Sequence, residues 1–327
     1  MELTTAWFVA IAFLWTGYFV LEGFDFGVGV LLPNLGRTPP QRQALLGTIG
    51  PVWDGNEVWL ITAIGATFAA FPHWYATLLS GFYLPLLAII VALIVRGVGL
   101  EYRGKRDDAR WKARCDLAIT AGSAIPAVTW GVIFANFNRG VPIDADMEYA
   151  GTLGDLLNPY ALLGGAVTLV LFATHGATFL ALKTATGLRD RAHDTARRLT
   201  ATSIIVTAVY VLWTVTIRVT TISAVLAAFT VAALAASLIA TRLHKDGWAF
   251  TGTTCAIAAL TAATFTAIHP AVLPSTLNPD WSLTVHNAAS SPYTLTIMTW
   301  AAAICLPVVI GYQTWTYWVF RRRVTAD

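Results

Sequence analysis

The sequence predicts an all-α, polytopic membrane protein, and three observations carry that prediction. Of the 327 residues, 56% are hydrophobic and only 12% are charged, whereas a soluble domain carries about 25% charged residues. The apolar stretches are too numerous for a single anchor, and mean hydropathy is +0.63; a bundle of spanning helices satisfies every backbone polar group in lipid. Lysines and arginines also gather on alternate connections. The expectation is one integral membrane domain over residues 1–327 with nine transmembrane helices. Its start, Met1-Glu2-Leu3, lacks the basic region of a cleaved signal peptide, so the first span is expected to be retained.

The first span, 7–33, contains Leu21-Glu22-Gly23-Phe24-Asp25-Phe26-Gly27-Val28-Gly29. The second, 51–70, opens in Gly50-Pro51-Val52-Trp53-Asp54-Gly55-Asn56-Glu57-Val58-Trp59-Leu60-Ile61, where proline suits a first helical turn and acids gain from the positive helix end. The third, 75–99, ends near Arg96, with Glu101 just beyond, and the fourth, 114–137, opens near Asp116. An acidic connection with Asp144, Asp146, Glu148 and Asp155 leads to spans 158–183, 199–217, 220–241 and 249–269. The sixth and seventh meet at Arg218 with almost no loop. A connection rich in Pro, Ser and Asn over 270–292 precedes the last span, 293–320.

Charge sets the orientation. Arg37, Arg42, Arg96, Arg103, Lys105, Arg106, Arg110, Lys112, Arg114, Lys183, Arg189, Arg191, Arg197, Arg198, Arg242, Lys245 and Arg321 to Arg323 fall on one side, leaving Arg139 and Arg218 on the other. The positive-inside rule then puts the N-terminus outside and the C-terminus in the cytoplasm. The basic run from Arg103 to Arg114 reads first as this topology signal and second as a contact for anionic headgroups.

Ionisable groups inside hydrophobic spans are functional hypotheses by default. Glu22 lies 15 residues beyond Trp7, about 22 Å along the helix, in the inner third of a core about 30 Å thick. Asp25 follows one turn on, sharing its face. Gly23 and Gly27 let another backbone approach. Asp54 and Glu57 enter from the cytoplasm at the same depth. With Arg96, Glu101 and, at its margin, Asp116, they form a polar seam suited to relaying protons by alternating protonation. Alternatively, Asp54 and Glu57 cap the second span and pair with Arg96.

Among six histidines, His73, His193, His244 and His286 are expected in loops and His269 at a helix end. Only His175 lies well within a span, too few for a bis-histidine haem site. It reads as a hydrogen-bonded core residue, or as a contact to a cofactor on another subunit. Cys115, Cys255 and Cys305 show no pairing or metal spacing and read as small core residues. Most of the 13 tryptophans, Trp7, Trp53, Trp59, Trp74, Trp281 and Trp318 included, are expected in an interfacial belt. No metal site and no nucleic-acid partner are expected.

The two acidic segments quoted above resemble signatures of subunit II of the cytochrome bd-type quinol oxidases. So do Gly81-Phe82-Tyr83, Arg96-Gly97-Val98-Gly99-Leu100-Glu101-Tyr102-Arg103, Gly140-Val141-Pro142 and Leu156-Leu157-Asn158-Pro159. The likeness is strong in the N-terminal half and extends through Thr174 to Leu180; beyond about residue 200 it rests on hydropathy and length. The resemblance implies a complex of the bacterial cytoplasmic membrane that oxidises quinol and reduces dioxygen to water, taking the protons from the cytoplasm. It implies that haem b and haem d sit in a partner, subunit I, with small single-helix subunits, lipid and quinone as further company. It also implies two four-helix bundles, about 1–137 and 158–269, plus the ninth helix. Family positions linked to proton uptake match Asp25, Asp54, Arg96 and Glu101, the last standing where Asp is common. Together with Glu22 and Glu57 these form the expected proton path, with Asp116 and His175 as outlying candidates. Two competing readings are a proton-coupled secondary transporter and a scaffold without chemistry; against the transporter, no pair of Gly/Pro-interrupted spans recurs in corresponding positions of two halves.

Overall fold

The computed structural model describes residues 2–325; Met1, part of the start read above as retained, lies outside them. The helices are α1 (Leu3–Leu35), α2 (Pro39–Ile49), α3 (Trp53–Ala70), α4 (Pro72–Gly81), α5 (Tyr83–Tyr102), α6 (Ala109–Arg139), α7 (Leu153–Leu156), α8 (Pro159–Lys183), α9 (Thr186–Ile217), α10 (Thr221–Arg242), α11 (Asp246–Ile268) and α12 (Pro292–Val319). Among the described residues, eight helices are long and apolar enough to cross a membrane: α1, α5, α6 and α8 to α12. The residues expected as the second span form α3, which is not among these eight; it has 18 residues and opens Trp53-Asp54-Gly55-Asn56-Glu57.

Several boundaries differ from expectation. The third span is not continuous from 75, because the chain breaks at Phe82 between α4 and α5. Pro85 has no N–H to return to the Gly81 carbonyl, so the ladder cannot run through. The stretch after α1, read as loop, holds α2. Thr38 caps it, accepting from Gln41 N at 3.4 Å, and Ala44, Leu45, Leu46 and Ile49 are buried with residues of α1, α8 and α9. Helix α9 starts well before 199, so His193 is helical rather than in a loop, and His73 lies in α4. Pro51 sits in the turn before α3, not inside its first turn.

Helix α1 is the hub, packing against α3, α6, α8 and α11. Its crossing with α8 is close because glycines face each other there. A Cβ added to Gly27 would lie 2.8 Å from Gly176 Cα, and one added to Gly23 would lie 2.8 Å from the Phe172 ring. An aromatic core fills the space toward α6: Trp15 packs on Trp130 with centroids 4.9 Å apart, and Phe19 on Phe134 at 4.8 Å. Trp130 donates to the Tyr18 hydroxyl at 3.1 Å. Trp7, Trp59 and Trp74 are buried as well, so the interfacial belt does not account for them.

The two long connections are knitted together. Val141 N donates to Pro274 O and Thr276 N to Val141 O, both at 3.0 Å, and Ser275 Oγ donates to Ile143 O at 2.7 Å. Strands β1 (Ala271–Leu273) and β2 (Leu283–Thr284) pair antiparallel within the second connection, a small departure from an all-helical chain. In the first, the Thr152 N–H and hydroxyl both donate to Asp155, which holds that carboxyl below its ordinary range.

The glycine crossing yields a stability expectation. Gly176→Leu forces backbone apart and should destabilise by about 1–3 kcal/mol or more, as overpacking does. Gly311→Ala on α12, with nothing within 4 Å of the new Cβ, should be neutral. Thermal unfolding of the detergent-solubilised protein, followed by tryptophan fluorescence, compares them; equal midpoints would refute the close-packed crossing.

Candidate functional site: a buried carboxylate and arginine cluster

Three helices converge on one guanidinium. Arg96 of α5 is fully buried, as are Glu22 and Asp25 of α1 and Asn56 of α3. Arg96 Nη1 donates to Glu22 Oε1 and, at 3.0 Å, to Glu57 Oε1, and its guanidinium lies 4.9 Å from the centre of the Phe26 ring, a favourable cation–π placement. Room for it comes from Gly122 of α6, where a Cβ would fall 2.6 Å from Arg96 Cβ. Glu57 keeps 22% of its side chain exposed, so it is the member of the set that reaches the surface.

Asp25 is held separately. Asn56 Nδ2 donates to Asp25 Oδ2 at 2.7 Å and lies 3.4 Å from the Leu21 carbonyl. Asn56 Oδ1 accepts from Gln313 Nε2 at 2.9 Å and from the Tyr317 hydroxyl at 2.8 Å, both on α12. Buried and without a hydrogen-bond partner among the described residues are Glu22 Oε2, Asp25 Oδ1, Arg96 Nε and Nη2, and nearby Ser123 Oγ. Buried polar atoms are normally satisfied, and ordered water is the usual partner where protein supplies none. One guanidinium cannot balance three carboxylates, so Glu22, Asp25 and Glu57 are neutralised together only when two of them carry protons.

Of the expected site residues, the structure bonds Glu22 and Glu57 to Arg96, with Asp25 one turn along α1 and bonded to Asn56. Asp54 and Glu101 are exposed and stand outside the bonded set. Asp116 belongs to a second cluster, accepting from Arg42 Nη1 at 2.8 Å and Arg103 Nε at 2.5 Å, with Arg103 Nη1 also donating to Gln43 Oε1 at 3.0 Å. That cluster ties α2 to the C-terminal end of α5 and the N-terminal part of α6. His175 sits beyond α1, with Nδ1 2.7 Å from Thr253 Oγ1 and Nε2 3.1 Å from the Val20 carbonyl. A carbonyl only accepts, so Nε2 carries the proton; with Nδ1 against the Thr253 hydroxyl, both nitrogens are engaged, and the ring does not fit an axial haem ligand. Asn56, Gln313 and Tyr317 were not foreseen as site residues. Their signal was available: Gln313 and Tyr317 are four apart on one face of an otherwise apolar helix.

Fold and site together define a helical, polytopic membrane protein with a buried titratable cluster. Residues 3–320 match the family described as cytochrome bd terminal oxidase subunit II. The chain is 41% identical to cytochrome bd ubiquinol oxidase subunit 2 of Bacillus subtilis (strain 168), over 99% of this chain and 97% of that one. It is 33% identical to cytochrome bd-I ubiquinol oxidase subunit 2 of Escherichia coli (strain K12), over 98% and 95%. It superposes on a chain of the bd oxidase from Geobacillus thermodenitrificans with a TM-score of 0.78, at 17% identity, covering 98% of this chain and 99% of that one, a likeness of fold alone. The chain belongs to the cytochrome bd terminal oxidase subunit II family and is a multi-pass protein of the bacterial cytoplasmic membrane.

The shared guanidinium makes a testable stability claim. Arg96→Met leaves Glu22 buried without its partner and should cost about 3–5 kcal/mol. Adding Glu22→Gln should recover a large part of that loss. A double-mutant cycle on thermal unfolding in detergent measures the coupling; strictly additive losses would show that the pair does not interact as described.

Proposed function

We propose that this chain is the haem-free subunit of a quinol-oxidising, dioxygen-reducing complex, and that it delivers cytoplasmic protons through the α1, α3 and α5 cluster. The observation that carries this reading is a buried guanidinium bonded to two carboxyl groups, Glu22 and Glu57, with a third, Asp25, buried one turn along α1 from Glu22. Such a set can hold and pass protons without moving an uncompensated charge through the core. In this reading the protein spans the membrane nine times with its N-terminus outside. Helices α1, α3, α5 and α6 form one bundle, α8 to α11 a second, and α12 stands apart. Exposed Asp54 and Glu101 collect protons at the cytoplasmic mouth, Glu57 passes them inward, and Glu22 and Asp25 hold them in the interior.

The relatives' names, cytochrome bd ubiquinol oxidase subunit 2, support the assignment to such a complex. Haem b and haem d belong to the partner, subunit I, and quinol is the substrate of the assembly. Within this chain the work is proton transfer between carboxyl oxygens; Arg96 limits how much negative charge the cluster accumulates, and the apolar packing around it keeps bulk water out.

Asp25→Asn keeps the size and removes the proton carrier. In the assembled oxidase it should slow oxygen uptake at least about tenfold, within the range that loss of a positioned proton-transfer group produces, with apparent quinol affinity and haem absorbance unchanged. Asp54→Asn, at the exposed mouth, should slow it less. Steady-state oxygen consumption with a reduced-minus-oxidised spectrum decides the matter. Normal turnover of Asp25→Asn would overturn the conduit; loss of haem in step with turnover would assign the chain a scaffolding role instead.

A further inference from the structure

The last helix reaches the site through one side chain. Helix α12 is fastened near its start, where Trp7 Nε1 donates to Leu295 O at 3.2 Å and to Thr299 Oγ1 at 3.1 Å. It is fastened near its end by Gln313 and Tyr317 on Asn56. Between the two lies an apolar cleft of about 640 Å³ bounded by α1, α3 and α12, so the middle of α12 packs little on the body. The inner end of α12 is therefore referenced to α1 and α3 chiefly through the Asn56 amide.

The direction of the hydrogen bonds through that amide is settled by chemistry. The Leu21 carbonyl, on the α1 side of Asn56, can only accept, so the amide NH2 faces α1 and the amide oxygen faces α12. Facing α12, the oxygen takes two donors, Gln313 Nε2 and the Tyr317 hydroxyl. Facing α1, the NH2 donates to Asp25 Oδ2. Turning the amide over would set an oxygen against both the Leu21 carbonyl and the Asp25 carboxylate. The chain of bonds runs one way, from α12 through Asn56 to Asp25.

We propose that Asn56, oriented by Gln313 and Tyr317, is a positioning residue for Asp25: it keeps Oδ2 a hydrogen-bond acceptor and leaves Oδ1 as the oxygen that takes up and releases the proton. This rests on the reading of Asp25 as a proton carrier. Oδ1 is buried and has no partner among the described residues, as expected of an atom whose partner is the travelling proton or a water carrying it. The consequence is that α12, although it contributes no carboxylate, sets which face of Asp25 is active. The titratable or charged groups around Asp25 are Glu22 on its own helix, Glu57 on α3, Arg96 on α5 and Tyr317 on α12.

The test uses the assembled oxidase carrying Tyr317→Phe with Gln313→Met, which removes both donors while keeping bulk, and separately Asn56→Asp, which removes the donor to Asp25. Five readouts are taken: oxygen uptake against pH, apparent quinol affinity, haem content, the thermal midpoint, and the carboxyl region of the redox-induced infrared difference spectrum, with the Asp25 band assigned by its loss in Asp25→Asn. The expected result is a turnover several-fold lower for the donor-less pair and about tenfold lower for Asn56→Asp. Quinol affinity and haem content should hold, the pH profile should change, and the Asp25 band should move. Tyr317→Phe alone, which leaves one donor on Asn56, should fall between wild type and the pair. An unmoved Asp25 band and unchanged pH profile, with only the thermal midpoint lowered, would make the clasp an anchor for α12 and overturn the proposal. An Asp25→Asn variant with normal turnover would instead refute the proton-carrier reading itself.

Discussion

A single guanidinium, withdrawn completely from solvent, is the constraint around which the first helices are arranged. Burying a cation without partners still costs several kcal/mol per ion after relaxation, a large share of a domain's net stability of about 5–15 kcal/mol. Arg96 is admissible because Glu22 and Glu57 accept from it and Phe26 presents its face. Those partners sit on α1 and α3, so the register of both helices against α5 is tied to one side chain. Gly122 on α6 completes the enclosure by being too small to exclude it. The same contacts that make the charge tolerable bring the carboxyl groups within reach of one another.

The second arrangement is the fastening of α12. A helix that buries little of its surface, with Leu295 its one buried residue among those described, cannot be placed by packing alone. In lipid there is no hydrophobic gain from helix association, so polar contacts and close packing decide position. Here the polar contacts lie near the helix ends, and the inner ones meet an amide already committed to Asp25. Beyond the C-terminal end of α12, Lys183 donates to the Arg322 carbonyl at 2.9 Å and Arg323 lies 3.4 Å from Asp246, joining the segment after α12 to α8 and α11.

How much of this was legible in the chain follows from what each signal measures. Hydropathy reports burial in lipid or protein alike, so the long apolar helices stood out. Helix α2 did not, because it opens on Pro39-Pro40-Gln41-Arg42-Gln43 and its apolar residues are covered in part by residues of α8 and α9, far along the chain. The seam was half legible. On α3 the buried face runs through Asn56, Trp59, Leu60, Ala63, Thr67 and Ala70; Asp54 is about 200° from Asn56 at about 100° per residue, so it turns outward. On α5 the buried face runs Ile89, Ala92, Arg96 and Gly99, and Glu101 is off it for the same reason. Spacing of three identified which acids share a face; only the apolar stripe told which face was inside. The pairing of Val141 with Ser275, and of Asn56 with Tyr317, joins residues far apart in sequence and left no local trace.

The contact of α1 with α8 at Gly27 and Gly176 has a consequence for the membrane around it. Where backbone meets backbone, no side chain stands between that could change rotamer and absorb a displacement. Bilayers differ in thickness, and spanning helices usually answer mismatch by tilting or by sliding against neighbours. Helix α1 is held against such sliding, because moving it along α8 would drive main chain into main chain. The height of Glu22 and Asp25 is thus registered against the protein's own second half rather than against the lipid, and a change in acyl-chain length or fluidity reaches the rim of the molecule before it reaches its carboxylates.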